Sequence, residues 1–213
     1  MDVLIACEES QVICKAFRNY GHTAFSADLQ KCSGGHPEWH IVGDCTKILN
    51  GNCQFVTQSG QMVTKNNEWD LIIAHPPCTY MSAAGATLMF PNKKLNPERL
   101  KKALEAKRFF EVCLNAKCKY IAVENPRPLK IVQLPKQSCI VNPYEFGESW
   151  SKRTYLWLKN LPPLIPTLYV NEHKSWTKFR GVAKSRSKSF KGIARAMVEQ
   201  WSAFIENECS MNE

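Results

Sequence analysis

The sequence predicts an α/β protein built on a mostly parallel, twisted sheet with helices on both faces. Short apolar runs alternate with helix-like segments along the 213-residue chain, as in repeated strand–helix–strand units. A polar side chain directly follows several of these runs, which is typical of strands that end together at one edge of a parallel sheet. The length and an ordinary composition, 44% apolar and 22% charged, favour a single domain over residues 1–213.

The first half of the chain is predicted to supply four strands. An apolar run at residues 3–6 opens the sheet, and a helix is predicted at 11–20, with Ser10 as its N-cap and Gly21 as its stop. The other predicted elements of this half are strands at 23–27, 39–42 and 71–74, one helical turn at 47–49, and a polar insertion at 50–68 that favours a surface hairpin.

The second half begins with a helix whose start is well marked. Asn96 is a suitable cap, Pro97 suits the first helical position, and the apolar side of the helix runs to about Ala116. The remaining predicted elements are strands at 120–123, 139–141 and 155–158, a basic, proline-containing loop at 161–189, and a closing helix at 190–205.

Charge and hydropathy predict a soluble cytoplasmic protein with a polyanionic partner. A net charge of +9 and a pI of about 9.1 fit nucleic acid. No apolar run is long enough to cross a bilayer, and the N-terminus lacks the features of a signal peptide.

Cysteines are numerous, and their spacing favours buried thiols over disulfides or a paired metal motif. Cys32, His36 and His40, close to two glycines, leave two alternatives open: a zinc site, or a loop that shapes a pocket, of which the loop is favoured.

Polar residues that follow the predicted strands are expected to converge at one edge of the sheet. These residues are Glu8, Asp28, Asp44, Cys78 and Glu124. Asp28 lies where open α/β folds place an acid for ribose hydroxyls, and Asp44, one strand later, is suited to an adenine amino group. No glycine-rich phosphate cradle is present, so an adenosine ligand without phosphate fits better than a dinucleotide.

Cys78 is expected to be held rigidly just beyond a strand. The apolar run 71–74 stops before Pro76 and Pro77, neither of which can donate to a β-ladder. The prolines force a stiff, extended exit from the sheet. The cysteine therefore emerges where such sheets bind ligands.

The segment from Pro76 to Gly85 resembles the nucleophile motif Pro-Cys-Gln-x-Phe-Ser-x-Ala-Gly of DNA cytosine-5 methyltransferases. The sequence Glu124-Asn125-Pro126 resembles their Glu-Asn-Val motif, the stretch 146–153 more loosely resembles their arginine motif, and helix 192–201 occupies the place of their last cofactor-side motif. The chain as a whole is similar to small cytosine methylase-like proteins of bacteriophages.

The resemblance implies a Rossmann-like class I methyltransferase fold and methyl transfer from S-adenosyl-L-methionine to C5 of cytosine in DNA, with a role in DNA modification or restriction evasion. It implies that Cys78 adds to C6 of the ring, that Glu124 acts as the acid and holds the base edge, and that Arg153 steadies the base, with Lys152 competing for that role. The target base must leave the duplex or arrive single-stranded. His75 breaks the Asp-Pro-Pro-Tyr motif of amino-methyltransferases, which disfavours amino methylation.

For the cofactor, the resemblance implies contacts with residues around the ends of the first three strands and the fourth strand's exit. These are Ala6, Cys7, Glu8, Ser10, Asp28, Asp44, Cys45 and Pro76. Two features depart from the family. The first motif, Phe-x-Gly-x-Gly, is here a glycine-free run at 5–10, and a full target-recognition domain is replaced by the loop at 161–189.

Positive charge is concentrated near the C-terminal end. Residues 150–195 contain eleven basic residues and one acid, with aromatic residues interleaved, which suits phosphate contacts and base stacking. The residues predicted to bind nucleic acid are Ser82, Lys152, Lys174, Trp176, Lys178, Arg180, Lys184, Arg186 and Lys188. So short a segment predicts weak sequence specificity, a short recognition site, or a protein partner that supplies specificity.

Two alternatives stay open from the sequence alone. The same chemistry could act on RNA, single-stranded DNA or a cytosine nucleotide. The fold could also bind nucleic acid or a nucleoside without catalysis, because the first motif lacks its glycines.

Overall fold

The computed structural model describes residues 1–178 and 188–211. The strands in these residues are β1 (Asp2–Ala6), β2 (Thr23–Asp28), β3 (His40–Val42), β4 (Cys53–Val56), β5 (Met62–Lys65), β6 (Leu71–Ala74), β7 (Tyr120–Pro126), β8 (Cys139–Val141), β9 (Trp150–Ser151), β10 (Thr154–Lys159) and β11 (Lys174–Ser175). The helices are α1 (Val12–Asn19), α2 (Ala86–Met89), α3 (Pro97–Leu114) and α4 (Lys191–Ser210). None of the described helices is long and apolar enough to cross a membrane.

A seven-stranded sheet in the order β3-β2-β1-β6-β7-β10-β8 organises the chain. The strands from β3 to β7 pair in parallel, whereas β10 runs antiparallel to both of its neighbours. The predicted fold class is confirmed as an α/β fold with a mostly parallel, Rossmann-like sheet. The ends of β1, β2, β3, β6 and β7 therefore share one edge, where ligands of such sheets bind.

Helices cover both faces of the sheet. Helices α1 and α4 pack on one face, where Phe17 and Trp201 are fully buried, and α3 packs on the other face through Phe110. Strand β6 is buried on both sides because Leu71 and Ile73 face α1 and α4 while its other two residues face α3. This double burial explains why β6 reads as a continuous apolar run in the sequence.

Helix α3 and the hairpin follow the predictions. The side-chain oxygen of Asn96 accepts a hydrogen bond from the Arg99 backbone N–H at 3.0 Å, which confirms the cap. Strands β4 and β5 pair antiparallel within the predicted insertion, which confirms the hairpin.

The predicted cap of α1 is wrong. Ser10 does not cap the helix; the residue before the helix is Gln11, with φ = 56°. The Glu8 carboxylate accepts hydrogen bonds from the backbone N–H groups of Ile13 and Cys14, at 2.7 and 3.1 Å. The left-handed turn at Gln11 folds the chain back, so that the acid nearest the strand reaches the first turn of the helix.

Two predicted boundaries change because of long-range pairing. Strand β7 continues past the predicted end at residue 123, because β10 pairs with it antiparallel as far as Pro126. Glu124 therefore lies within a strand, not after one. The predicted loop at 161–189 contains β11, which pairs in parallel with β9.

Candidate active site

The segment that follows β6 is held in place by backbone-directed hydrogen bonds. The Asn125 side-chain amide donates to the Pro76 carbonyl at 2.8 Å. The backbone N–H groups of Met81 and Ser82 donate to the Cys78 carbonyl at 3.0 and 2.9 Å. Arg99 donates to the Thr79 carbonyl at 2.7 Å. These contacts fix the backbone on both sides of the cysteine at the ligand-binding edge of the sheet.

The Cys78 thiol is half-buried. The neighbouring charges shift its pKa in opposite directions. Burial raises the pKa of Cys78, the charge of Glu124 raises it further, and the nearby Lys152 ammonium partly offsets both. The thiol, the carboxylate and the ammonium are thus within electrostatic reach of each other, although they come from three separate segments of the chain. A thiolate is the reactive form of cysteine, so this balance controls its reactivity.

Glu124 is hydrogen-bonded to a histidine. His75 Nδ1 lies 3.0 Å from Glu124 Oε2, and the two side chains are only 13% and 20% exposed. Burial acts to raise the pKa of Glu124, but the hydrogen bond and charge of His75, together with Lys152, hold it below its usual value. Glu124 is therefore a carboxylate at neutral pH.

The contact between His75 and Glu124 follows from strand register. Ala74 of β6 pairs with Val123 of β7, so the next residue of each strand points to the same face of the sheet. The sequence reasoning missed His75 as a site residue. The sequence does show that both residues directly follow apolar strand segments. It does not show the strand register that brings the two side chains together.

His75 has a second ring nitrogen that is buried. Within the described residues, no hydrogen-bond partner of His75 Nε2 is found. His75 and Glu124 line a narrow cavity of about 20 Å³, which is room for roughly one water molecule. The other lining residues are Ile13, Lys152, Thr154, Lys188, Ser189, Phe190, Ile193 and Met197.

Lys152, not Arg153, lies at this cavity. The Lys152 ammonium stands 5.5 Å from the ring centroid of Trp176 and 5.7 Å from that of Phe190. The Arg153 side chain is exposed, with its guanidinium 5.9 Å from the Tyr155 ring. The role implied for Arg153 stays a prediction, and the structure places Lys152, not Arg153, in the cavity that Glu124 lines.

The acids suited to adenosine lie at the ends of β2 and β3. Asp28 is half-buried and accepts a hydrogen bond from the Gln30 backbone N–H at 2.9 Å. Asp44 is exposed, and its bonds from the backbone N–H and hydroxyl of Thr46 lower its pKa. Both side chains therefore offer hydrogen-bond acceptors at the edge of the sheet.

The glycine-free loop after β1 adopts a backbone that glycine would favour. Cys7 has φ = 60° and occupies the position of the first glycine in the family motif. A hydrogen bond with the Cys45 thiol, and then burial, raise the pKa of Cys7. Ala6, which ends β1, is fully buried.

Two other residues predicted near the cofactor are buried as well. Glu8 is 3% exposed and Ser10 is 7% exposed. Burial raises the pKa of Glu8, while the charge of His75 and the N–H groups of α1 act in the opposite direction. Glu8 thus holds α1 against the strand edge, and contact of either residue with a cofactor stays a prediction.

The predicted nucleic-acid face is only partly accessible. Lys174, Lys178 and Lys188 are exposed. Trp176 is half-buried, with its ring edge-to-face against Trp150 at 5.3 Å and Phe190 at 5.0 Å. Ser82 is 8% exposed. The predicted contacts of Arg180, Lys184 and Arg186 lie outside the described residues.

The histidines near the paired glycines form hydrogen bonds within the protein. His40 Nδ1 lies 2.8 Å from the Ser26 hydroxyl, and its Nε2 lies 2.9 Å from the Gln30 carbonyl. His36 pairs with Glu38 at 2.9 Å. In residues 1–178 and 188–211, no group of three or more His, Cys, Asp or Glu side chains is placed to hold a metal ion.

The chain is similar to known proteins in structure but not detectably in sequence. No protein-family model matches the chain, and no curated protein matches it. A candidate DNA modification methyltransferase encoded within an Escherichia coli prophage is 12% identical, with a TM-score of 0.46 over 80% of this chain and 52% of the other. The Entamoeba histolytica methyltransferase EhMeth is 18% identical, with a TM-score of 0.45 over 87% of this chain and 62% of the other. The chain therefore spans between half and two thirds of the length of these two proteins.

Proposed function

We propose that the protein is an S-adenosyl-L-methionine-dependent methyltransferase that acts on C5 of cytosine in DNA through a covalent Cys78 adduct. One observation carries the proposal. Cys78, on a fixed segment after β6, and Glu124, on β7, lie within electrostatic reach at the ligand-binding edge of a methyltransferase-like sheet. A nucleophilic thiol and a carboxylate are the two groups that activation of a cytosine ring requires.

The chemistry assigns one step to each group. The Cys78 thiolate adds to C6, which moves an electron pair of the ring to C5 and makes that carbon nucleophilic. C5 then takes the methyl group, the hydrogen on C5 leaves as a proton, and the C6–S bond breaks to return the thiolate. Glu124 holds the base edge at N3 and the amino group, and Lys152 offsets negative charge near the thiol.

The residues at the strand ends fit an adenosine-containing methyl donor. When bound, S-adenosyl-L-methionine supplies the electrophilic methyl group. The Asp28 carboxylate would accept from ribose hydroxyls and Asp44 from the adenine amino group, because both are acceptors at the ends of neighbouring strands. The left-handed backbone at Cys7 lets the loop after β1 turn sharply without glycine.

The distribution of charge supports a polymeric substrate. With eleven basic residues and one acid, segment 150–195 has a net charge of +10, which exceeds the +9 of the whole chain. Lys152 and Lys188 line the cavity beside Glu124, and Lys174 and Lys178 lie on the same segment. Such a surface binds phosphates without reading sequence.

A covalent trap tests the proposed nucleophile. Duplex DNA with 5-fluorocytosine, incubated with S-adenosyl-L-methionine, should form an adduct that survives denaturation, because after methyl transfer C5 carries no hydrogen and its fluorine cannot leave as a cation. We expect the adduct with the wild-type protein and with Cys53→Ser, a half-buried thiol in the hairpin, and none with Cys78→Ala. An adduct with Cys78→Ala would overturn the assignment.

A substrate panel separates the alternatives. Duplex DNA, single-stranded DNA, RNA and deoxycytidine nucleotides are each incubated with protein and methyl-labelled cofactor. The basic segment predicts that duplex DNA is labelled faster than the free nucleotide. Binding of DNA and cofactor without any labelling would favour a binding protein over an enzyme.

A further inference from the structure

The pairing of Glu124 with His75 bears on which group supplies a proton to the target cytosine. Addition of a thiolate to C6 places negative charge on the ring, which a proton on N3 neutralises. An ionised carboxylate can only accept hydrogen bonds. Since His75 and Lys152 hold the pKa of Glu124 below its usual value, Glu124 carries no proton of its own to give at neutral pH.

The nearest group able to hold that proton is the imidazole itself. His75 Nδ1 lies 3.0 Å from Glu124 Oε2, a hydrogen-bonding distance. Histidine is the side chain that most often serves as a general acid or base in enzymes. The ring is 13% exposed, so solvent has limited access to it.

Resting on the proposed function, we propose that His75 stores the proton that Glu124 delivers to N3 of the target cytosine. As the C6–S bond forms, the Nδ1 proton of His75 moves to Glu124, and Glu124 gives that proton to N3, so that His75 becomes neutral and Glu124 is again a carboxylate. After C5 is methylated, the N3 proton returns through Glu124 to His75, and the C5 proton goes to water as the C6–S bond breaks. His75 gives up and regains one proton, so the net proton released is the one from C5.

The surroundings of the ring are consistent with a charge-switching imidazole. Two carboxylates lie near it: Glu124 on β7, and Glu8, whose pKa is acted on by the charge of His75. Lys152, before β10, and Lys188, before α4, face the same cavity. The buried Nε2, unpartnered within the described residues, together with space for about one water molecule, provides a place where that nitrogen can exchange protons with solvent.

The first test is the pH dependence of a single turnover. His75→Gln keeps a polar side chain beside Glu124 but cannot carry the proton. His36→Gln, which removes a histidine outside the cavity, is the control. We expect His75→Gln to slow adduct formation by about a hundredfold, which is typical for loss of general acid–base assistance. The limb of the pH profile that depends on the imidazole should be lost, and the affinity for DNA should not change. His75 acts through Glu124, so a purely structural role would lower the rate without changing the profile. An unchanged profile in His75→Gln would overturn the proposal.

The second test needs no methyl transfer. In wild-type protein labelled with ¹⁵N-histidine, the His75 resonances are assigned by their loss in His75→Asn, and we expect Nδ1 to be protonated and its titration to shift in Glu124→Gln. An Nδ1 without a proton would overturn this inference even if the enzyme is active. Failure of the wild-type protein to methylate any substrate would instead count against the proposed function, and the NMR result would still decide the state of the pair.

Discussion

At the scale of single residues, the reactivity of Cys78 is set by competing influences. Burial and the charge of Glu124 raise the pKa of the thiol, and Lys152 lowers it. A raised pKa reduces the thiolate fraction at neutral pH. The Cys78 thiol is therefore mostly protonated at neutral pH, and the neighbouring charges influence how readily it ionises.

This balance can be measured by alkylation of Cys78 with iodoacetamide, followed by mass spectrometry of the modified peptide. Glu124→Gln removes a negative charge, so we expect the pH profile of alkylation to shift to lower pH. Lys152→Met removes the opposing charge, so its profile should shift to higher pH. Lys136→Met, an exposed lysine outside the site, is the control. Shifts in the same direction for both variants would contradict the charge arrangement.

The sequence points to Cys78 and Glu124 and leaves Lys152 and Arg153 as alternatives, but it does not indicate His75 as a neighbour of Glu124. Cys78 and Glu124 both stand in motifs with a recognisable order along the chain. In the sequence, His75 stands out only as a break in another motif, because the register that places it beside Glu124 depends on the pairing of β6 with β7. The choice between Lys152 and Arg153 depends on the turn before β10, which the sequence does not specify.

At the scale of elements, helix α1 is joined to the site through its first turn. The Glu8 carboxylate accepts from two backbone N–H groups of the helix and lies near His75. One acid thus fixes the first turn of α1, which contains the cavity-lining Ile13, relative to the cavity.

Replacement of this acid should destabilise the protein. Glu8→Ala leaves two buried N–H groups without an acceptor, so we expect the free energy of unfolding to fall by about 1–3 kcal/mol. The change is measured by urea denaturation at pH 7, as a lower midpoint with an unchanged slope. Glu105→Ala, on the exposed surface of α3, should change stability by less than about 0.5 kcal/mol. Equal effects of the two substitutions would show that Glu8 does not cap α1.

The elements differ in how far they could be predicted. Helix α3 carries its own start signal, Asn96 followed by Pro97, and begins where expected. Helix α1 does not, because its cap requires left-handed backbone at Gln11. The extension of β7 and the pairing of β9 with β11 depend on partners distant in the chain, so local patterns could not indicate them.

At the scale of the whole molecule, the sheet and the basic segment each contribute residues to the cavity. The pairing of β6 with β7 brings His75 and Glu124 together, and Lys152 and Lys188 bring positive charge to the same cavity. The order of the motifs made the shared edge of the sheet predictable in outline. The packing of Trp176 against Trp150 and Phe190 was not, because it arises only after β9 and β11 pair.

The salt dependence of DNA binding tests the basic face. Substituting Lys174, Lys178 and Lys188 by alanine should weaken binding. It should also reduce the slope of log K against log salt by about 0.9 for each phosphate that the variant no longer neutralises. The same charge change at Lys101, Arg108 and Lys136, which are exposed elsewhere, should leave the slope nearly unchanged. Equal slopes for both triple variants would place the DNA on another surface.

The most direct measurement of the central claim is nucleoside mass spectrometry of DNA incubated with the protein and S-adenosyl-L-methionine. We predict 5-methyldeoxycytidine with the wild-type protein and none with Cys78→Ser. The variant should keep the unfolding midpoint and the DNA affinity of the wild-type protein. Undiminished 5-methyldeoxycytidine from Cys78→Ser, or none from wild-type protein that binds both DNA and the cofactor, would contradict the claim.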